Sequence, residues 1–463
     1  MNAAARLLWA PRAWIDGRWR DQVLLHIDAQ GRFDQVLAEV ACPASAQVLP
    51  GPVLPSLVNA HSHAFQRAFV GLAERRSAER DDFWGWRDRM YAVALRIGPE
   101  MLRAVAAQLY TELLQGGFTQ VCEFHYLHHA PDGQPYDDPL AMSRALVAAA
   151  DDAGIGLTLL PVLYERAGFD QPALRADQRR FATTVPQVLA LRDGIRALGA
   201  ARVNAGVAVH SLRAASPASI EALCRRVEDD DAPLHIHVAE QTGEVDECLR
   251  ITGCRPMEWL ARQVPLDRRW QLVHATHALP SEIEAVARTG AGVVICPGTE
   301  ANLGDGLCDL PAWLSHQVPC SIGTDSHVVR QWPAELRWLE YGQRLALRQR
   351  NVCAAPGEQP ATAARLFDAA LAASAAPAGL PAWGLVPGAR ADFLVLDDGD
   401  ASLRGVPPSH RLDALVFSSP GDAIRDVFVA GEAVVVERRH VAQDAIASRF
   451  ADAMAGLWQG GLG

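Results

Sequence analysis

Eight apolar strands alternating with helical stretches, ionisable residues at nearly every strand end, and strand-rich segments at both termini predict an α/β fold. The architecture they point to is a (β/α)8 TIM barrel with a small β-sandwich domain built from both chain ends. The expected division is residues 1–50 for the N-terminal part of the β domain and 51–375 for the barrel. Residues 376–463 supply the C-terminal part of the β domain and a final helix.

The N-terminal part reads as short strands, Ala13 to Ile15 and Val23 to Ile27, around the Asp16-Gly17 and Gln30-Gly31 turn signals. The barrel strands expected are Val53 to Ala60, Thr119 to Phe124, Ile155 to Leu163, Val203 to Val209, Leu234 to Val238, Trp270 to Ala275, Gly292 to Cys296 and Cys320 to Gly323. Helices are expected between them over Pro99 to Leu114, Pro139 to Ala153, Val185 to Leu198, Ser216 to Val227, Pro280 to Ala287 and Pro333 to Leu347. Several of these open on Pro or Ser, as helix starts prefer. Ala391 to Leu396 and a hairpin around Gly431-Glu432 return to the β texture. A doubly wound open sheet has the same alternation and is the competing architecture.

The composition narrows the function. The 463 residues carry a formal net charge of -11, which argues against nucleic acid or an anionic membrane as partner. All 43 basic residues are arginines. Without lysine the chain cannot form a phosphate-binding P-loop, a pyridoxal Schiff base or a metal site bridged by carboxylated lysine. Nine cysteines form no CxxC pair and sit mostly in apolar runs, as expected of reduced thiols in a cytoplasmic protein. Met1 to Trp14 makes a poor signal peptide, and no apolar run reaches the ~18 residues of a membrane span.

The strand ends carry the chemistry. His61 and His63 form an HxH pair, and strand residues two apart face the same way. His237 ends the fifth strand and Asp325 the eighth. In a barrel these ends converge on one face. Three imidazoles and a carboxylate suit one Zn²⁺ and leave a position for water, with Fe²⁺ or Mn²⁺ compatible. His235 shares the parity of His237 and is its rival as ligand; His237 lies nearer the strand's C-terminal end. Glu240, three residues beyond His237, is placed to move protons. His274, ending the sixth strand, is placed to orient water or substrate, and Asp325 to accept the water's proton.

These motifs resemble the amidohydrolase superfamily in its mononuclear deaminase branch. Longer segments are similar to the N-formimino-L-glutamate deiminase family within it. They are Asn59 to Arg67, Glu123 to Tyr126, Leu159 to Tyr164, His210 to Ala214, His237 to Gln241, Thr299 to Gly306 and Asp325 to His327. The resemblance implies that Gln66, Arg87, Tyr126, His210 and Arg213 hold the two carboxylates of a small anionic substrate. Arg87 follows Phe83-Trp84-Gly85-Trp86 in the long loop after the first strand. It implies a zinc or iron centre, a homodimer, and hydrolysis of formiminoglutamate to formylglutamate and ammonia in histidine degradation. The competing readings are a deaminase of guanine, an adenosine derivative or a triazine, and a non-catalytic scaffold on the same barrel.

Overall fold

The computed structural model describes residues 5–75 and 83–459. Two nine-stranded sheets organise them. The parallel one carries the barrel strands, labelled β1 (Leu57–Ser62), β2 (Phe118–His125), β3 (Gly156–Leu163), β4 (Val207–Ser211), β5 (Leu234–Val238), β6 (Trp270–His274), β7 (Gly292–Ile295) and β8 (Cys320–Ile322). They pair in sequence order. Beyond β8 the chain returns to β1: the Thr324 and Asp325 amides donate to the His61 carbonyl at 3.1 and 3.0 Å, and the His63 amide donates to that of Asp325 at 3.2 Å. This seam makes the sheet a nearly closed barrel and excludes the open doubly wound arrangement.

The expected fourth strand is divided. Val203–Ala205 pairs with β3, and Gly206 separates it from β4. A Cβ on Gly206 would lie 2.3 Å from the Pro233 carbonyl oxygen, so the backbones meet closely there. The first expected strand is also divided. Val53–Pro55 leaves the barrel and pairs antiparallel with Phe393–Leu396, and only Leu57–Ser62 belongs to β1. Both pieces are wholly buried, and the chain is apolar on either side of Ser56, at Val53 to Pro55 and at Leu57 and Val58, so hydropathy gives no sign of the switch.

The second sheet runs Arg439–His440, Glu432–Val436, Ile424–Val429, Phe393–Leu396, Val53–Pro55, Arg6–Ile15, Arg18–Ile27 and Phe33–Leu37, with Gln47–Val48 paired to Arg6–Ile15. Both chain ends therefore build one continuous sheet. Strand alternation gives each face its own core. Phe393 and Val395 join a cluster with Leu8, Val23 and Phe33, while Leu394 and Leu396 join the main core that includes the barrel. Asp16 and Gly17 both have positive φ, closing a tight hairpin between Ile15 and Arg18. Ala430 and Gly431 do the same between Val429 and Glu432, one residue earlier than the sequence signal.

The segment after the helix Thr362–Ala372 closes the barrel floor. The Pro377 carbonyl accepts from His235 Nε2 (3.0 Å) and Cys122 Sγ (3.2 Å). The Ala378 carbonyl accepts from Thr158 Oγ1 (2.9 Å) and Asn204 Nδ2 (2.7 Å). All nine cysteines are free. Among the described residues no helix is long and apolar enough to cross a membrane.

Candidate active site

The C-terminal ends of β1, β5, β6 and the turn after β8 bring His61, His63, His237, His274 and Asp325 together. His61 Nε2 lies 3.1 Å from His63 Nε2 and 3.0 Å from His237 Nε2. Asp325 Oδ1 lies 3.4 Å from the first and 3.3 Å from the second. Backbone carbonyls set the tautomers. His63 Nδ1 donates to Phe124 (3.0 Å) and His237 Nδ1 to His210 (2.8 Å). Their Nε2 atoms are then bare lone pairs. Burial, the largest influence on each, pushes all three imidazoles below their ordinary value and keeps them neutral. Lone pairs crowded this closely in a dry pocket repel one another unless a cation lies among them. Three imidazole nitrogens and a carboxylate fit a divalent first-row ion.

The surrounding chain is pinned. Glu123 accepts from Ser62 Oγ and the Ala64 amide, both at 2.6 Å, fixing the backbone on either side of His63. Burial pushes its carboxyl up to about 8. Asn59 exchanges two hydrogen bonds with Thr324, next to Asp325. Ala239, His274, Ala275, Asp325 and His327 all adopt positive φ, so several strand ends are held in the strained left-handed region.

Beside this cluster one imidazole faces three carboxyl groups. His274 Nδ1 is 3.3 Å from Glu300 Oε1. Its Nε2 faces Glu240 Oε1 at 3.7 Å and Asp325 Oδ2 at 3.9 Å. Burial lowers the imidazole, but Glu240, Glu300 and Asp325 outweigh it and raise it to about 10. Burial pushes the Glu240 carboxyl up to about 7, against the pull of His274. Glu244 accepts from the Ala239 and Glu240 amides, each at 3.2 Å, shaping the turn that presents Glu240.

A cavity opens over the cluster. Every site residue singled out from sequence lines it except His61, which is wholly buried behind. Gln66 Nε2 donates to Tyr126 Oη at 3.1 Å. Tyr126 stands edge-on to His63 and His210. Burial, with Arg213 nearby, keeps the His210 imidazole neutral. Arg213 is buried, and Arg166 grips the carbonyls of Leu212 (2.7 Å) and Arg213 (3.1 Å) from behind. Arg87 lies on a helix, Phe83–Ala94, rather than in a loop. Gly85 and a dense run of aromatics hide that helix from periodicity. His235, the rival ligand, points one layer deeper and bonds the floor.

Sequence reasoning left Tyr91, Tyr164, Gln178 and Glu300 outside the site. Tyr164 and Glu300 stand at strand ends, where position was a usable signal. Tyr91 and Gln178 lie in no motif, and only the fold brings them in.

Residues 53–434 match the model of the amidohydrolase family. The formimidoylglutamate deiminase of Pseudomonas aeruginosa is 45% identical, over 97% of this chain and 99% of its own. The 5-methylthioadenosine/S-adenosylhomocysteine deaminase of Natronomonas pharaonis is 29% identical, over 83% of this chain and 82% of its own. Among solved structures, an amidohydrolase from Brucella melitensis superposes with a TM-score of 0.92 at 39% identity, covering 98% of this chain and 99% of its own.

Proposed function

The chain belongs to the amidohydrolase family, and from that premise we propose that it hydrolyses N-formimino-L-glutamate to N-formyl-L-glutamate and ammonia, a step of histidine degradation. The observation that carries this reading is one cavity lined both by the histidine–aspartate cluster and by Arg87 and Arg213. A dicarboxylate entering an acidic protein needs local cations, and a guanidinium grips a carboxylate through a bidentate fork.

His61, His63, His237 and Asp325 are the proposed holders of one divalent ion, Zn²⁺ before Fe²⁺. Bound there, the ion supplies Lewis-acid activation of water at neutral pH. Arg87 and Arg213 clamp the substrate's carboxylates, while Gln66, Tyr126 and His210 line the cavity and orient the chain between them. Asp325 takes the attacking water's proton, and His274, held protonated by its carboxylate neighbours, orients the water. Oxygen bonds to the formimino carbon. Glu240, facing His274 across 3.7 Å, delivers protons to the imino nitrogen. The carbon–nitrogen bond then breaks, ammonia leaves, and the new carbon–oxygen bond becomes the formyl carbonyl. Reduced thiols support a cytoplasmic setting, and the family resemblance supports a homodimer.

A purine-ring substrate calls for stacking and base-edge contacts and offers no carboxylates for the two arginines to grip. A scaffold has no need of an intact ligand set beside an intact proton relay. Metal-loaded protein offered formiminoglutamate and a panel of purines should release ammonia from the first alone. Turnover of guanine without turnover of formiminoglutamate rejects the assignment.

A further inference from the structure

Two phenols in the substrate cavity have no part in the mechanism above. Tyr91 stands on the helix Phe83–Ala94, one turn beyond Arg87, and Tyr164 directly follows β3. Both are buried and both line the cavity. Between them lies the side chain of Gln178, wholly buried on the short 3-10 helix Ala176–Phe181.

The orientation of that amide is fixed by its backbone partner. Gln178 Oε1 accepts the Arg175 amide hydrogen at 3.0 Å, so the NH2 end faces the phenols. Nε2 lies 3.0 Å from Tyr91 Oη and 3.0 Å from Tyr164 Oη. An amide nitrogen carries two hydrogens and accepts none. Both phenol oxygens are therefore acceptors here, and their own hydrogens point elsewhere. The two phenols are close enough to interact, and a bond between them spends one hydrogen and leaves the other.

The charged side chains around the phenol pair are cationic. The Arg87 guanidinium lies 5.6 Å from the Tyr91 ring centroid, and the charges of Arg87 and Arg213 both act on Tyr164. A guanidinium only donates, so it cannot receive the phenol hydrogens. Burial pushes the Tyr164 phenol up and keeps it a neutral donor. Arg87 and Arg213 also repel one another. An anion seated there gains from neutral donors that add hydrogen bonds without adding repulsion.

We propose that the Tyr91–Tyr164 phenol pair donates a hydrogen bond to a substrate carboxylate beside Arg87 and Arg213, and that Gln178 is the positioning residue that turns the pair's remaining hydrogen into the cavity. This rests on the functional reading above.

Steady-state kinetics of the metal-loaded enzyme test it. Tyr91→Phe and Tyr164→Phe should each raise KM for formiminoglutamate about tenfold or more and leave kcat within about threefold. Gln178→Glu reverses the polarity: its carboxylate takes the phenol hydrogens, so KM rises although both tyrosines remain. A merely structural role would lower the melting temperature without that KM-specific loss. Calorimetric binding of glutarate, a dicarboxylate that needs no turnover, gives a second readout on the isosteric Tyr91→Phe/Tyr164→Phe protein. Glutarate binding weakened about tenfold or more supports the proposal. Unchanged KM and unchanged glutarate affinity in that double variant overturn it. Should the wild-type protein release no ammonia from formiminoglutamate, the functional reading fails, and the glutarate comparison still decides the role of the tyrosines.

Discussion

Gly323→Ala tests whether the barrel seam and the metal cluster are one structure. A Cβ at position 323 would lie 2.7 Å from His61 Cβ, 2.9 Å from its amide nitrogen and 3.0 Å from its carbonyl oxygen. Non-bonded carbons rest at about 3.5 Å or more, so the two strands must part by about 0.8 Å. None of the three atoms is the free end of a flexible side chain, and the His61 carbonyl already bonds the Thr324 and Asp325 amides. Overpacking of this kind costs about 1–3 kcal/mol. The parting falls on His61 and Asp325, whose ligand atoms are 3.4 Å apart, and functional constellations tolerate only about 0.5 Å. A displacement near 1 Å lowers rates on the order of 100-fold. The variant should fold, melt a few degrees lower, lose most of its metal by mass spectrometry and lose at least about 100-fold in kcat. Wild-type metal content together with wild-type kcat would refute the reasoning.

Glu240→Gln keeps size and hydrogen bonding but cannot carry a proton; turnover should fall about 100- to 10,000-fold with metal still bound, and near-normal ammonia release would remove Glu240 from its role. His237→Gln should strip the ion, whereas His235→Gln, altered at the barrel floor, should retain it; metal analysis of the two purified variants settles which imidazole is the ligand. The pH dependence of stability is also set by buried rings. Burial lowers His125 to about 3 and His235 to about 4, against 6.5 for the free side chain. The unfolded chain thus binds protons that the folded chain refuses. The contribution of these two rings should be full above pH 6.5 and fall below it, by about 1.4 kcal/mol per pH unit for each, until the folded values are reached, while carboxyls raised by burial, such as Glu123, act in the opposite sense. Urea unfolding of the wild-type and His125→Gln proteins at pH 7.5 and 5.5 isolates the His125 share, and a stability difference between the two proteins that is the same at both pH values would contradict it.

Much of the barrel is legible in the sequence because its strands are apolar runs bounded by turn residues, and strand ends are where ionisable residues collect. His61, His63, His237 and Asp325 group together on sequence alone, because parity and strand position say which way each faces. The same logic leaves His235 open, since parity does not give depth, and depth is what separates a mouth residue from a floor residue. The departure of Val53–Pro55 into the second sheet is invisible in hydropathy, because both sheets bury that run. Pro55, which lacks an amide hydrogen, is the available clue. The helix bearing Arg87 and Tyr91 carries glycine and aromatics in place of a clean apolar stripe. Gln178 acts only through partners that are distant in sequence, and no local pattern encodes that.

Val53–Pro55 lies between Arg6–Ile15 and Phe393–Leu396, so the earliest strands leave the ribosome hundreds of residues before their neighbour exists. Until then Val53 and Leu54 form an open, greasy border, the kind of edge that recruits other chains. The floor waits for the same stretch, since Pro377 and Ala378 cap it. A polypeptide cut just past Asp325 would possess every ligand and proton carrier, yet have no finished vessel to hold them.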